Sequence, residues 1–168
     1  KSSGIGDMEL SARYTLWLDK ELRPSQLFGV LAGLRMPTGR EQFDSQGNSL
    51  DIDVQRGTGS WIPNMGVWYG AYHYPYFFYA SSVYHQPINK GFQQFEAGKA
   101  LINTFLAQYA LNHQTALQFG LDTRWSTKNT QLGETDQNSG GFIAFITPGV
   151  VYHLSEDILL NLSLQIPA

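Results

Sequence analysis

The chain is divided by polar links whose lengths alternate between short and long. Eight apparent strand segments stand between these links in the 168 residues. Short links lie at 20–25, 74–75, 112–114 and 155–157, and longer ones at 40–60, 86–93 and 126–140. Transmembrane β-barrels have tight turns on the periplasmic side and longer loops outside. The alternation therefore predicts an all-β fold, an antiparallel up-and-down transmembrane β-barrel.

The composition also favours a membrane wall. Charged residues make up 15% of the chain and aromatic residues 14%, whereas about a quarter of the residues in soluble domains are charged. No apolar run approaches the roughly 20 residues that a membrane helix needs. A barrel strand presents only every second residue to lipid, so it combines low charge with the absence of long apolar runs.

Several function classes are excluded by residue content. The net charge is −3 without a Lys/Arg cluster, so nucleic acid is not an expected partner. Cysteine is absent, which removes disulfides and thiol chemistry. The four histidines lie on different hairpins without metal-ligand spacing. Ser81, Ser82 and His85 lack a third member for nucleophilic catalysis. We therefore expect no metal, no cofactor and no enzyme activity.

The clearest runs assign two faces. Between residues 7 and 19 the even positions are apolar, and the odd positions include Glu9, Arg13 and Trp17. In the run at 115–125, Leu117 and Leu121 oppose a polar set. Arginine on the lipid face at mid-bilayer costs about 2–4 kcal/mol, which places the arginines of these runs inward. In the run at 115–125 the polar residues are Gln118, Asp122 and Arg124.

The run at 95–111 is ambiguous, because Ala97, Leu101 and Phe105 also fit a helical stripe. Its position between two strand pairs favours a strand, and the same charge argument then places Lys99 inward, with Asn103. The predicted pore-lining residues are Glu9, Arg13, Arg35, Lys99, Asn103, Gln118, Asp122 and Arg124.

These residues have two interpretations. They form a charged constriction that selects permeants, or a structural network that braces the wall and fills the lumen. The first hairpin should set Glu9 opposite Arg35, and Asp122 and Arg124 should form a second inward pair.

Aromatic residues cluster by depth along the runs. Two such belts are typical of the two membrane interfaces. Trp17, Tyr72, Tyr74, Tyr76, Phe77, Tyr109 and Tyr152 lie near the short links, and Trp61, Tyr84, Phe95 and Trp125 near the long ones. Both chain ends fall on the long-link side. Residues 1–168 are therefore expected to form a single β-barrel domain that is an internal part of a barrel of about ten to twelve strands.

Several short segments carry a family resemblance. They are SGIGD at 3–7, LSARY at 10–14, MPTG at 36–39, GTGSW at 57–61, PGVVY at 148–152 and LSLQIP at 162–167. Their order and spacing resemble the bacterial outer-membrane family called "putative MetA-pathway of phenol degradation". The resemblance implies an outer-membrane barrel in a Gram-negative bacterium and a route for small, often hydrophobic molecules. It implies no catalytic or binding residue.

Together these features predict an outer-membrane channel or transporter-like barrel for small aromatic or hydrophobic molecules, with membrane lipid around it. A structural barrel that tethers a partner protein complex is the second hypothesis, and a soluble β-sandwich binding module is the third. Conductance separates the first two hypotheses. Solubility without detergent identifies the third.

Overall fold

The computed structural model describes residues 5–155 and 158–168. Two short 3₁₀ helices, Ile52–Val54 and Phe92–Gln94, lie in the long links. Among the described residues, no helix is long and apolar enough to cross a membrane. The strands are β1 Met8–Leu18, β2 Gln26–Met36, β3 Ile62–His73, β4 Tyr76–His85, β5 Ala100–Ala110, β6 Thr115–Ser126, β7 Thr130–Gln131, β8 Glu134–Thr135, β9 Gly141–His153, β10 Leu159–Ser163 and β11 Ile166–Pro167.

In the described part of the chain, nine of these strands form one antiparallel sheet in the order β1-β2-β3-β4-β5-β6-β9-β10, with β11 also paired to β9. β10 and β11 keep the same register against β9, because Ser163 pairs with Gly149 and Ile166 with Ile146. They are therefore one interrupted strand. β7 and β8 form a separate small hairpin within the third long link. No second sheet covers the first among the described residues, so a β-sandwich has no facing layer here.

The predicted all-β antiparallel fold is confirmed. β4 occupies all the residues between its two predicted links, and the other long strands lie between theirs, except that β6 extends one residue into the link at 126–140. The ambiguous fifth run is a strand, although it begins at Ala100 and not near residue 95. The link at 155–157 and the segment at 3–7 lie partly outside the described residues. β1 and β10 are the edges of the sheet in this part of the chain.

The cross-strand register defines two faces. The apolar face carries Leu10, Val30, Val67, Phe105 and Leu121. Cross-strand pairing places these residues, and the residues two positions before and after each of them, on the same side of the sheet. The polar face is the opposite one. On β3, Met65, Val67 and Tyr69 lie on the apolar face, and Asn64, Gly66 and Gly70 lie on the polar face.

Side-chain exposure is inverted relative to a soluble protein. Large apolar residues on the apolar face are exposed even on interior strands, with Met65 on β3 at 65% and Leu117 on β6 at 46%. Leu31, Ile62 and Asn64 on the polar face are buried. Soluble monomers rarely expose a contiguous apolar patch of this kind. The apolar face therefore requires an apolar environment.

A bulge in β1 changes the predicted face of Trp17. Thr15 pairs with Gly29, and Trp17 pairs with Phe28, so Leu16 is the extra residue. A β-bulge of this kind breaks the period-two alternation. Trp17 consequently lies on the apolar face with Phe28. The prediction that it lies on the polar side is wrong.

The short links are held by local side-chain bonds. The Asp19 carboxylate accepts hydrogen bonds from the Ser25 amide (2.8 Å), the Gln26 amide (2.9 Å) and the Ser25 hydroxyl. Asn112 Oδ1 accepts bonds from the amides of Gln114 and Thr115, each at 2.8 Å. Asp and Asn in such turns replace missing backbone partners, so these links fix the hairpins without long loops.

Candidate functional site

The predicted pairing of Glu9 with Arg35 is confirmed. The two residues face each other across β1 and β2, and the Arg35 Nη2 and Nε atoms donate to Glu9 Oε2 at 2.9 and 3.1 Å. Asn64 on β3 donates its Nδ2 to Glu9 Oε1 at 3.0 Å. The ion pair is 40% and 36% exposed at its two side chains, so it contributes less than about 1 kcal/mol to stability. The ion pair instead places a charged cluster on the polar face.

The polar face draws together side chains from separated strands. The Asn64 side chain crosses β2 above Gly33 to reach Glu9. A Cβ atom added to Gly33 would lie 2.7 Å from the Asn64 Oδ1 atom, so the glycine leaves room for this contact. The Arg13 guanidinium lies 6.0 Å from the ring centre of Tyr79, although β1 and β4 are three strand spacings apart, or about 14 Å. Side chains from distant strands thus converge above the polar face.

Asp122 and Arg124 share the polar face but do not form the predicted pair. The described residues contain one ion pair, between Arg35 and Glu9. The Asp122 Oδ1 atom instead accepts the Thr104 hydroxyl at 2.8 Å. Thr104 is the register partner of Asp122 on β5, and a directly opposed partner is closer than a residue two positions along the same strand. Gln108 donates to its own partner, Gln118, at 2.8 Å.

The predicted face of Asn103 is wrong. The register pairs Asn103 with Ser82 and Thr123 on the apolar face, whereas Ile102 and Thr104 lie on the polar face. Ser82 donates to Asn103 Oδ1 at 2.7 Å, and Asn103 Nδ2 donates to Thr123 Oγ1 at 3.1 Å. This polar row is half-buried among larger apolar side chains. Because the three side chains satisfy one another, an amide is tolerated on this face.

The charge of Lys99 also does not place this residue on the polar face. Lys99 precedes the first residue of β5, and its carbonyl oxygen accepts the Thr127 amide at 2.9 Å, at the long-link end of the sheet. The cost of a lipid-facing charge falls to about 0–1 kcal/mol near the interface. A lysine at that depth therefore does not determine the orientation of the strand.

Two aromatic residues of the polar face, Trp68 and Tyr79, are not among the residues predicted from the sequence. They are register partners of Ser81 and Gly70, respectively. The Trp68 indole lies over Gly29, where an added Cβ would be 2.6 Å from the Trp68 Nε1 atom. Nε1 is buried without a hydrogen-bond partner among the described residues. The signal was the alternation of small and aromatic residues in β3, which leaves Trp68 in phase with Gly66 and Gly70.

At the long-link end, Asp7 ties the segment before β1 to the first long link. Its carboxylate accepts the Gly39 amide at 3.1 Å, the Thr58 amide at 2.9 Å and the Thr58 hydroxyl at 3.3 Å. A Cβ on Gly57 would lie 2.2 Å from the Asp7 Oδ1 atom. Only glycine leaves room for the carboxylate at that distance. Asp7 thus fixes the link beside the Glu9–Arg35 pair.

The long links also contact one another. Gln93, in the second long link, donates its Nε2 to Ser49 Oγ at 2.6 Å and to the Leu50 carbonyl at 2.7 Å in the first. Gln131, in the third, donates to Gln93 Oε1 at 3.3 Å. Gln93 has a φ of 53°, a conformation that non-glycine residues adopt uncommonly. The three links therefore form one hydrogen-bonded layer at their end of the sheet.

Two carboxylates in the links have lowered pKa values. Bonds from the Ser25 hydroxyl and the Gln26 amide lower the pKa of Asp19 from 3.8 to about 2. Bonds from the Asn48 amide and side chain lower the pKa of Asp44. Both groups accept donors within their own turns, which stabilises the charged form. They stabilise turns and are not placed to bind a ligand on the polar face.

A family model matches residues 1–167, and its description is "Putative MetA-pathway of phenol degradation". The chain belongs to this family. No curated protein sequence matches the chain closely enough to count as a relative.

Among solved structures, this family member is similar to the crystal structure of an outer membrane channel from Pseudomonas putida F1. The TM-score is 0.76 at 17% sequence identity. The match covers 99% of this chain and 61% of the channel's chain, so the family member spans about three fifths of that protein's length. The likeness establishes a shared antiparallel β fold.

Proposed function

We propose that the chain forms most of the wall of an outer-membrane β-barrel channel that admits small aromatic or hydrophobic molecules. The apolar face lies against lipid in this proposal, and the polar face lines the passage. Glu9, Arg13, Arg35, Gln118, Asp122 and Arg124 are the proposed lining residues. Further strands between the β1 and β10 edges would close the barrel.

The observation that carries this proposal is the inverted exposure of the two faces. A sheet with one strongly exposed apolar face and one polar face is what a lipid-embedded barrel wall requires. The long strands have 10 to 13 residues, close to the roughly 9–11 residues that a strand tilted by about 45° needs to cross the hydrocarbon. Tyr76 lies beside both Phe78 and Tyr109 on the apolar face near the short links, as in an interfacial aromatic belt.

The comparisons support the proposal in a coarser form. The family description names phenol degradation, and the similar structure is described as an outer membrane channel. The description of the similar structure agrees with the proposed outer-membrane location, and we propose a channel role without enzyme activity. The proposed class of permeant rests on the aromatic side chains of the polar face together with the family description.

The test is bilayer conductance of the full-length protein, purified in detergent, with and without small aromatic solutes. Discrete openings that these solutes alter support a selective pore. Replacing Arg13 with glutamine should then change ion selectivity, because the guanidinium lies on the proposed lining. The matched control is Lys20→Gln, which removes a positive charge from the exposed first short link.

A membrane-inserted but silent protein would favour the tethering barrel. Side chains that cross between strands, such as those of Trp68 and Asn64, would then fill the lumen, and the long links would carry the function. A protein that remains soluble without detergent would contradict both barrel hypotheses.

A further inference from the structure

The short-link end of the polar face contains a recess of about 380 Å³. One wall is Phe77, which pairs with Tyr72 on β3 and with Gln108 on β5. His153, the last residue of β9, lines the other side. The floor is Ala110 and Ala116, which are register partners on β5 and β6. This recess, called the turn-end recess below, is separate from the charged cluster at the long-link end.

The recess is built from regular strands. Alanine is depleted in strands because it packs little. Here two alanines face each other between the larger side chains of Phe77, Gln108 and His153. The result is a low floor between taller walls. Tyr74 and His113, from two different short links, stack at its rim with ring centres 6.4 Å apart and planes 18° apart. The shape therefore does not depend on a long flexible loop.

The lining indicates the chemical class of a ligand. Tyr72, Tyr74, Phe77 and two imidazoles offer ring faces and edges, which favour aromatic partners. The polar groups include neutral amides and hydroxyls, and among the residues that the structure describes no Asp, Glu, Lys or Arg contributes to the lining. A carboxylate would lose hydration there without a permanently charged partner. Gln108 donates to Gln118 at 2.8 Å, which orients its own amide oxygen as a hydrogen-bond acceptor.

We propose that the turn-end recess binds a small, neutral, hydroxylated aromatic molecule. The ring lies over Ala110 and Ala116, and the hydroxyl hydrogen-bonds to the Gln108 amide or to an imidazole. This inference rests on the proposed function, because it makes the recess a binding station at the short-link end of the passage.

The test measures binding of phenol to the full-length protein in detergent by calorimetric titration and ligand-observed NMR. Cyclohexanol keeps the hydroxyl but lacks an aromatic face, and benzoate keeps the ring but adds a charge. Phenol should bind at least tenfold more tightly than either. Equal binding of the three compounds would overturn the inference.

Two variants locate the site. Ala116→Phe fills the recess from the floor and should weaken phenol binding at least tenfold. Leu117→Phe adds a ring at the next residue, on the apolar face, and should leave binding within twofold. Because phenol also partitions into micelles, the difference between these variants is the decisive quantity. Equal binding by both would refute the location.

A second filling variant, Ala110→Phe, serves if Ala116→Phe does not fold, as judged by heat-modifiable migration in gels. Retained phenol binding by a folded filling variant overturns the inference. Conductance of the wild-type protein is measured in parallel. A conducting protein without recess binding contradicts the inference alone, and a silent protein whose phenol binding is lost in Ala116→Phe contradicts the channel alone.

Discussion

Replacing Leu121 with arginine tests which face of the sheet lies against lipid. Leu121 is near the middle of β6 and pairs with Phe105 on β5 and Ile146 on β9, all on the apolar face. Arginine at mid-bilayer on a lipid-facing position costs about 2–4 kcal/mol. That cost lowers the folding equilibrium constant by roughly 30- to 900-fold. Most of the effect should appear as failed insertion at moderate urea.

Gln118→Arg is the matched change on the polar face of the same strand. It removes the hydrogen bond with Gln108, which costs about 1 kcal/mol, and the new charge remains solvated in the proposed passage. Leu121→Met changes packing without charge and should cost less than about 1.5 kcal/mol. The expected order of stability is therefore wild type, then Leu121→Met and Gln118→Arg, and last Leu121→Arg.

The assay is urea-dependent folding of the full-length protein into phospholipid vesicles, with heat-modifiable migration as the readout of the inserted state. The midpoint for Leu121→Arg should fall well below that for Gln118→Arg. Equal midpoints, or a lower midpoint for Gln118→Arg, would refute the assignment of the apolar face to lipid and with it the proposed channel wall.

Three further outcomes are expected. Asp7→Asn should raise tryptic cleavage within the first long link several-fold in vesicle-embedded protein. Asp44→Asn should not, because the Asp44 carboxylate accepts hydrogen bonds from Gln46 and Asn48 of its own turn. Equal cleavage of the two variants would contradict the anchoring role of Asp7. The pKa of Asp19 is lowered to about 2 from 3.8, so the stabilisation by its bonds is present above pH 3.8 and is lost as pH falls towards 2; an NMR titration of the Ser25 amide should show a midpoint near 2, and one near 3.8 would contradict it. Asn103→Leu should leave insertion intact, because it puts an apolar side chain on a lipid-facing position; strong loss of insertion would place that residue on the other face.

The alternation of residues within single strands predicted most of the strands and their two faces. In β6, for example, one parity carries Leu117, Phe119, Leu121 and Trp125, and the other carries Gln118, Asp122 and Arg124. Strand alternation is a local property, so it can be read without knowing any partner strand. The pairing of Glu9 with Arg35 followed from the position of one short link, because a tight hairpin fixes register.

The errors occurred where a local argument replaced cross-strand pairing. The charge of Lys99 does not orient β5, because the residue lies beyond the end of the strand. The prediction for Asn103 depended on that orientation and was therefore wrong. Its hydrogen-bond partners Ser82 and Thr123 are polar and explain its position on the apolar face. Trp17 was misplaced by one inserted residue, since a bulge changes parity without any distinctive signal in β1 itself.

The sequence alone determined the all-β class, the hairpin order and the two faces of the most clearly alternating strands, because strand periodicity and turn chemistry act between near neighbours. The tertiary structure decided which side chains meet across strands. The convergence of Arg13 on Tyr79, the seat of Asp7 between glycines and the paired-alanine floor of the turn-end recess all join residues that are distant in the chain. Such contacts depend on register and sheet geometry, which no single strand encodes.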